Sequence, residues 1–265
     1  GSLQTIELSK YSAIAILVDE HTKMNCLDIF LKESQINPKL IIEIQSGEEH
    51  KNLSTCELIW QKLTTAQFDR KSLFINLGGG VIGDMGGFAA SCYKRGIDFI
   101  QVPTTLLAMI DASVGGKLAI DLENFKNQIG LFKSPKGVYI FPKFLQTLSH
   151  RQIVSGYAEI VKHALVADKD YWKLLMETSI EKLNWEETIY HSVTLKNDII
   201  KSDPFEENKR KILNFGHTLG HAIESYYLKK EKNILHGEAV ALGIYLETEL
   251  SPLNVERKKE IQDYL

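Results

Sequence analysis

The stretch Ser72-Leu73-Phe74-Ile75-Asn76-Leu77-Gly78-Gly79-Gly80-Val81-Ile82-Gly83-Asp84-Met85-Gly86-Gly87 decides the architecture. Ser72–Leu77 is a short apolar run of the length of a buried strand. It passes without a spacer into glycines, and a helix-like segment, Phe88–Tyr93, follows. Glycine permits the tight strand-to-helix turn and lets backbone N–H groups approach a diphosphate at the helix N-terminus. Gly78, Gly80 and Gly83 meet the G-x-G-x-x-G spacing, which by itself equally describes a crowded turn; the strand before and the helix after are what favour a dinucleotide. The acid at the usual ribose distance is Asp98, in Arg95-Gly96-Ile97-Asp98-Phe99, a poor place for that role, so another acid is expected to serve.

Outward from this stretch the pattern repeats. Ala13–Val18 and Leu40–Ile44 read as strands, Leu53–Ala66 as a helix, and Ile97–Val102 as a strand ended by Pro103. Such βα alternation implies a parallel sheet covered by helices, with ligands beyond the carboxyl ends of the strands. Thr104 and Thr105 then open the helical run Leu106–Ala112, either as plain N-caps or as ligand contacts. Asp111-Ala112-Ser113-Val114-Gly115-Gly116-Lys117 makes a second glycine turn beside a lysine, suited to an anion, and Lys126-Asn127 adds another donor pair.

Past about residue 148 the periods become helical, from Arg151 through Asn197 and again from Lys209 to the end, so the domain boundary is expected there: 1–148 α/β and 149–265 all-helical. In the second part, His217 and His221 stand four apart, on one helical face, within Asn214-Phe215-Gly216-His217-Thr218-Leu219-Gly220-His221-Ala222-Ile223-Glu224, and His236-Gly237-Glu238 follows. A third histidine and a carboxylate complete a metal site in outline. The plainer reading makes both histidines satisfied polar residues, with Asn214 and Glu224 as solvated neighbours. Glu159 and Lys162 tip the balance, because they share a face inside an otherwise apolar stripe, where a carboxylate and an ammonium need partners. With Lys196 and Arg210, these residues are expected to face the first domain across a shared site.

Composition narrows the partners. The chain has 265 residues, 44% hydrophobic and 25% charged, with a formal net charge of -3, which offers no general attraction to nucleic acid or to an anionic membrane. Cys26, Cys56 and Cys92 have no close pairing and suit reduced thiols in a cytosolic protein. No signal-like or bilayer-length apolar run is present, Gly1-Ser2 reads as a cloning remnant, and Lys229-Lys230-Glu231-Lys232 reads as a solvated loop. His150 and His163 read as surface or supporting residues.

Taken in order, the motifs resemble the 3-dehydroquinate synthase family. The resemblance spans roughly Asp19 to Ile244 and rests on Gly47-Glu48-x-x-Lys51, Gly78–Asp84, Gln101–Ala108, Gly115-Gly116-Lys117, Lys126-Asn127, Ala158-Glu159-x-x-Lys162, Asn214–His221 and His236-Gly237-Glu238. It implies a Rossmann-like N-terminal domain that binds NAD, and a helical C-terminal domain that binds metal and substrate. It implies zinc or cobalt held by Glu159, His217 and His236, with His221 unligated and engaged in proton transfer. NAD would lie across Gly79, Gly80, Val81, Ile82, Gly83 and Asp84. Glu48 and Lys51 would sit near its adenosine part, Thr104, Thr105, Lys117, Lys126, Phe144, Leu145, Gln146 and Thr147 along the rest, and Asp19 at a ribose. The implied reaction turns 3-deoxy-D-arabino-heptulosonate 7-phosphate into 3-dehydroquinate and phosphate, in the shikimate pathway of aromatic amino acid biosynthesis. Asp111, Lys117, Asn127, Lys162, Lys196, Arg210 and Asn214 would serve that phosphorylated keto-acid sugar, and Arg95 would act across a homodimer interface.

Some positions depart from the family pattern: Gln152 follows Arg151 where an acid is common, and Phe125 and Gln128 flank Lys126-Asn127. One helix is expected from His236 to Leu265, whereas family members run on and draw a phosphate-pocket lysine from that further part. The rival readings are another sugar phosphate cyclase, a metal-dependent alcohol or glycerol dehydrogenase, and an NAD- and metal-binding module without turnover.

Overall fold

In a computed structural model of the chain, four parallel strands form the centre of the N-terminal unit: β1 (Ile14–Asp19), β2 (Leu40–Ile44), β3 (Leu73–Gly78) and β4 (Asp98–Pro103), in the order β2-β1-β3-β4. The model describes residues 7–123, 125–204, 206–230 and 232–265; Gly1-Ser2 and Glu231 of the charged run lie outside them. The chain divides into two compact units, Gly1–Leu148 and Ser149–Leu265.

β3 is buried along its whole length, as a parallel strand covered on both faces must be. It lies between β1 and β4, with Ile75 opposite Ile16 on one side and Ile100 on the other. Because β2 lies beyond β1 and β4 beyond β3, the chain leaves in opposite directions from β1 and β3. Their carboxyl ends, Asp19 and Gly78, therefore flank the crevice where open α/β sheets bind ligands. Helices α1 (Glu20–Thr22), α2 (Asp28–Ser34) and α3 (Leu53–Thr65) precede β3, and α4 (Gly80–Cys92) follows it directly.

The helix after β3 starts at Gly80, inside the glycine run, and not at Phe88. Glycines continue into it because α4 presses on its neighbours: a Cβ on Gly86 would stand 2.1 Å from Asn76 Oδ1. The second glycine turn leads into an antiparallel hairpin that the sequence reading missed, β5 (Lys117–Leu122) with β6 (Phe125–Phe132). The run Leu106–Ala112 ends in a π-helical turn, Ala108–Ala112.

The second unit is helical: α5 (His150–Ala167), α6 (Lys169–Glu177), α7 (Trp185–Ser202), α8 (His217–Lys229), α9 (His236–Leu250) and α10 (Val255–Tyr264). The single helix expected from His236 to Leu265 is two. Ser251, forced toward extended backbone by Pro252, has ψ 161° and ends α9. α10 folds back onto α5 and α6, where Trp172 Nε1 donates to Glu260 at 2.7 Å and the Tyr157 and Tyr264 hydroxyls meet at 2.5 Å. Among the described residues no helix is long and apolar enough to cross a membrane, and the three cysteines are free, Cys26 and Cys56 buried and Cys92 exposed.

Candidate metal centre

Three helices of the second unit each contribute one donor to a single point. Glu159 comes from the middle of α5 and is fully buried; His217 opens α8 and His236 opens α9. Glu159 Oε1 lies 3.4 Å from His217 Nε2 and 3.7 Å from His236 Nε2, and the three donor atoms fall within 4.8 Å of one another. Tetrahedral bonds to zinc would set such donors about 3.3 Å apart, so the spacing and the set of one carboxylate and two imidazoles fit a divalent metal such as zinc or cobalt.

Close helix contacts create this convergence. The N–H of Gly237, beside His236, donates to Ser155 Oγ of α5 at 3.1 Å, and a Cβ there would stand 1.7 Å from the Ser155 carbonyl oxygen. Gly243 likewise lets α9 reach the Gly216 carbonyl, which a Cβ would approach to 1.9 Å. Arg151, at the start of α5, grips Glu238 through Nε at 2.5 Å and Nη2 at 2.7 Å, and donates to the Asn233 carbonyl at 3.0 Å. Glu238 is thus a tie between helices, turned to Arg151.

Electrostatics sharpen the donors. Burial, and then the Lys162 ammonium, lower the pKa of His217 and keep it neutral. Burial opposes charge on His236 too, but the Glu159 and Glu224 carboxylates prevail and raise it to about 9. Lys162 and Glu159 form a buried ion pair one turn apart on α5. The His221 ring stands 5.3 Å from that of His217 and 6.0 Å from that of His236.

Elsewhere in the second unit, Lys196 is buried on α7, and Arg210 and Asn214 lie on a 3-10 turn, Lys209–Asn214. Buried Arg210 donates to the Pro204 carbonyl at 2.8 Å, Asn214 donates to Glu206 at 2.8 Å, and Glu206 also lies 4.0 Å from Arg210 Nε. Sequence reasoning passed over Glu206 and Glu247, and its plainer reading left Glu224 a solvated neighbour. Glu224 is buried against His236 rather than solvated; its place three residues past His221 was the available signal. His163 is buried, and His150 is exposed.

In the first unit, Gly79 to Asp84 form the N-terminus of α4 at the carboxyl end of β3, a standard place for a phosphate. Thr105 lies against Gly79, which a Cβ would bring to 3.2 Å, while the Thr104 N–H donates to the Gly78 carbonyl at 3.0 Å. Lys51 is buried and donates to Asp84 and to Asn127 Oδ1, each at 2.7 Å; Glu48 lies 4.0 Å from Lys51 and 3.6 Å from Lys126. Five of the predicted residues thus form one cluster. Asp19 accepts the Thr22 N–H at 2.7 Å and caps the helix after β1. Phe144 and Leu145 are buried, Gln146 and Thr147 exposed, Asp111 half-buried and Lys117 exposed. Arg95 is exposed at the opposite end of α4 from the glycine loop, roughly 20 Å away along the helix. Its φ is 69°.

The family models described as 3-dehydroquinate synthase N-terminal and 3-dehydroquinate synthase C-terminal match residues 41–155 and 156–265. A curated 3-dehydroquinate synthase from Parabacteroides distasonis is 40% identical over 263 residues, covering 97% of this chain and 74% of that protein. A crystal structure of 2-deoxy-scyllo-inosose synthase with carbaglucose-6-phosphate, NAD+ and Co2+ superposes with a TM-score of 0.84 at 26% identity, over 100% of this chain and 77% of the other. A 2-epi-5-epi-valiolone synthase from Streptomyces hygroscopicus subsp. jinggangensis, with NAD+ and Zn2+ bound, gives a TM-score of 0.86 at 25% identity, over 99% and 76%.

Proposed function

The chain belongs to the 3-dehydroquinate synthase family, and from that premise we propose that it converts 3-deoxy-D-arabino-heptulosonate 7-phosphate into 3-dehydroquinate and phosphate, as an NAD- and divalent-metal-dependent phosphorus-oxygen lyase. The observation that carries the metal part of the proposal is the meeting of Glu159, His217 and His236 from three helices. A divalent metal at these donors supplies Lewis acidity toward the substrate oxygens, and NAD supplies a hydride acceptor that is regenerated within the cycle.

The chain's own residues bind, orient and move protons. His221, exposed beside the donor histidines, carries protons to and from the substrate. Lys162 supports Glu159 and faces the substrate as a cation. Lys196, Arg210 and Asn214 bind the carboxylate and phosphate of the substrate; Glu206 sets Arg210 and Asn214 in place. In the N-terminal unit, the glycine loop Gly79–Asp84 holds the NAD diphosphate, with Asp19, Glu48, Lys51, Thr104, Thr105, Lys126 and the segment 144–147 along the cofactor. Asp111, Lys117 and Asn127 complete the substrate contacts. Held in this way, the substrate closes its ring with little further help. The working form is a cytoplasmic homodimer in which Arg95 serves the neighbouring subunit.

The test is to incubate the protein with the heptulosonate phosphate, catalytic NAD and zinc, following phosphate and NADH together. Phosphate release without accumulating NADH, abolished by a chelator and in His217→Ala, is expected. Net NADH from a simple polyol would move the chain to dehydrogenase chemistry, and phosphate release only from a different sugar phosphate would assign another cyclase substrate.

A further inference from the structure

His236 meets a carboxylate with each of its ring nitrogens. Nε2 lies 3.7 Å from Glu159 Oε1, on the side of the donor set, and Nδ1 lies 3.6 Å from Glu224 Oε2. Glu224 is 6% exposed and sits on α8, one turn past His221 and two past His217, so all three share a face. His217 is placed in a similar way by a neutral group, its Nδ1 lying 3.3 Å from the Phe215 carbonyl oxygen. A carbonyl or an ionised carboxylate only accepts, so each Nδ1 carries a proton, and Nε2 is the nitrogen that gives its lone pair to a metal, in His236 by releasing the proton it holds against Glu159. Metal-bound histidines are commonly held by such a partner, which fixes the tautomer and raises the basicity of the donor nitrogen.

We propose that Glu224 is a positioning residue for the metal: it accepts the Nδ1–H of His236 and aims Nε2 at the ion shared with Glu159 and His217. The inference rests on the metal centre proposed above and adds to it the carboxylate that orients one ligand. A competing use of the same residues exists, because donor atoms of His221, Glu224 and His236 also lie within 4.8 Å of one another. In that arrangement Glu224 would itself be a ligand.

The test measures zinc stoichiometry and affinity by competition with a chromophoric chelator, for the full chain and for Glu224→Gln and Glu224→Ala, with the melting temperature of each metal-free protein alongside. The unsubstituted chain should bind one zinc. Glu224→Ala should bind it about 10- to 100-fold more weakly, and Glu224→Gln, whose amide oxygen still accepts from Nδ1, should fall between the two, with each metal-free variant still melting cooperatively. One zinc at unchanged affinity in both variants would overturn the role of Glu224 and leave the metal centre standing. An affinity loss only in variants whose metal-free chain no longer melts cooperatively would reduce Glu224 to packing. Two zinc ions in the unsubstituted chain and one in the variants would make Glu224 a ligand. No zinc in the unsubstituted chain would remove the metal centre and this inference together.

Discussion

Glu247, near the end of α9, accepts the N–H of Gly216 through Oε2 at 2.7 Å. Its other oxygen accepts the Leu219 N–H at 3.2 Å. These N–H groups lie at the N-terminus of α8, where no carbonyl of the same helix is available and negative charge is favoured. One carboxylate thus fastens the helix of His217 to the helix of His236. Glu247→Ala is expected to cost about 1–2 kcal/mol in denaturant unfolding and to weaken zinc binding; Glu247→Gln should recover part of both.

Gly237→Ala should act more harshly. The added carbon would stand 1.7 Å from the Ser155 carbonyl oxygen, a backbone atom that cannot swing aside. α9 must then move off α5, taking His236 away from Glu159. Loss of bound zinc in the folded variant, with destabilisation of about 1–3 kcal/mol or more, is the expected outcome by metal analysis and thermal melting.

Lys51 ties the glycine-loop helix to the hairpin, holding Asp84 and Asn127 with two hydrogen bonds of 2.7 Å. Lys51→Met keeps the length and apolar stem but leaves Asp84 without its ammonium. The expected cost is about 2–3 kcal/mol, at or below the low end for breaking a buried pair, because the Asp84 side chain remains 22% exposed. In a double-mutant cycle, Lys51→Met with Asp84→Asn should cost less than the two single changes summed. Strict additivity would show that the pair is not coupled.

Acidity at His236 gives the metal-free protein a characteristic pH profile. Although burial disfavours its charge, Glu159 and Glu224 raise its pKa from 6.5 to about 9. The folded chain therefore holds this proton more tightly than the unfolded chain. The stabilisation is complete below about pH 6.5 and lost as pH rises through about 9. Between those values the metal-free protein should lose stability that a His236→Gln variant does not lose. Zinc uptake near pH 7.5 should release about one proton, measurable by calorimetry in buffers of different ionisation enthalpy.

The parallel sheet was legible because buried strands such as Leu73–Gly78 are unbroken apolar runs. The start of α4 was not, since Gly80, Gly83, Gly86 and Gly87 read locally as loop, and it is the strand side chains of Asn76 and Leu17 against Gly86, and of Leu118 and Phe99 against Gly87, that leave no room for a Cβ inside the helix. The hairpin was hidden by an exposed β6, in which Asn127 takes a left-handed φ of 56° and the exposed pair Asn127-Gln128 breaks the alternation. The break at Ser251-Pro252 carried a local signal that a continuous helical period masked. At the metal centre, spacing along α8 puts His217, His221 and Glu224 on one face. Which of them meets His236 Nδ1 depends on how α9 approaches, and that is set by Gly237 and Gly243.

The most direct measurement is anomalous X-ray diffraction from zinc-loaded crystals, recorded on both sides of the zinc absorption edge. The account predicts one anomalous peak per chain, bounded by Glu159, His217 Nε2 and His236 Nε2. A peak bounded instead by His221, Glu224 and His236 Nδ1, or no peak in either place, would contradict it.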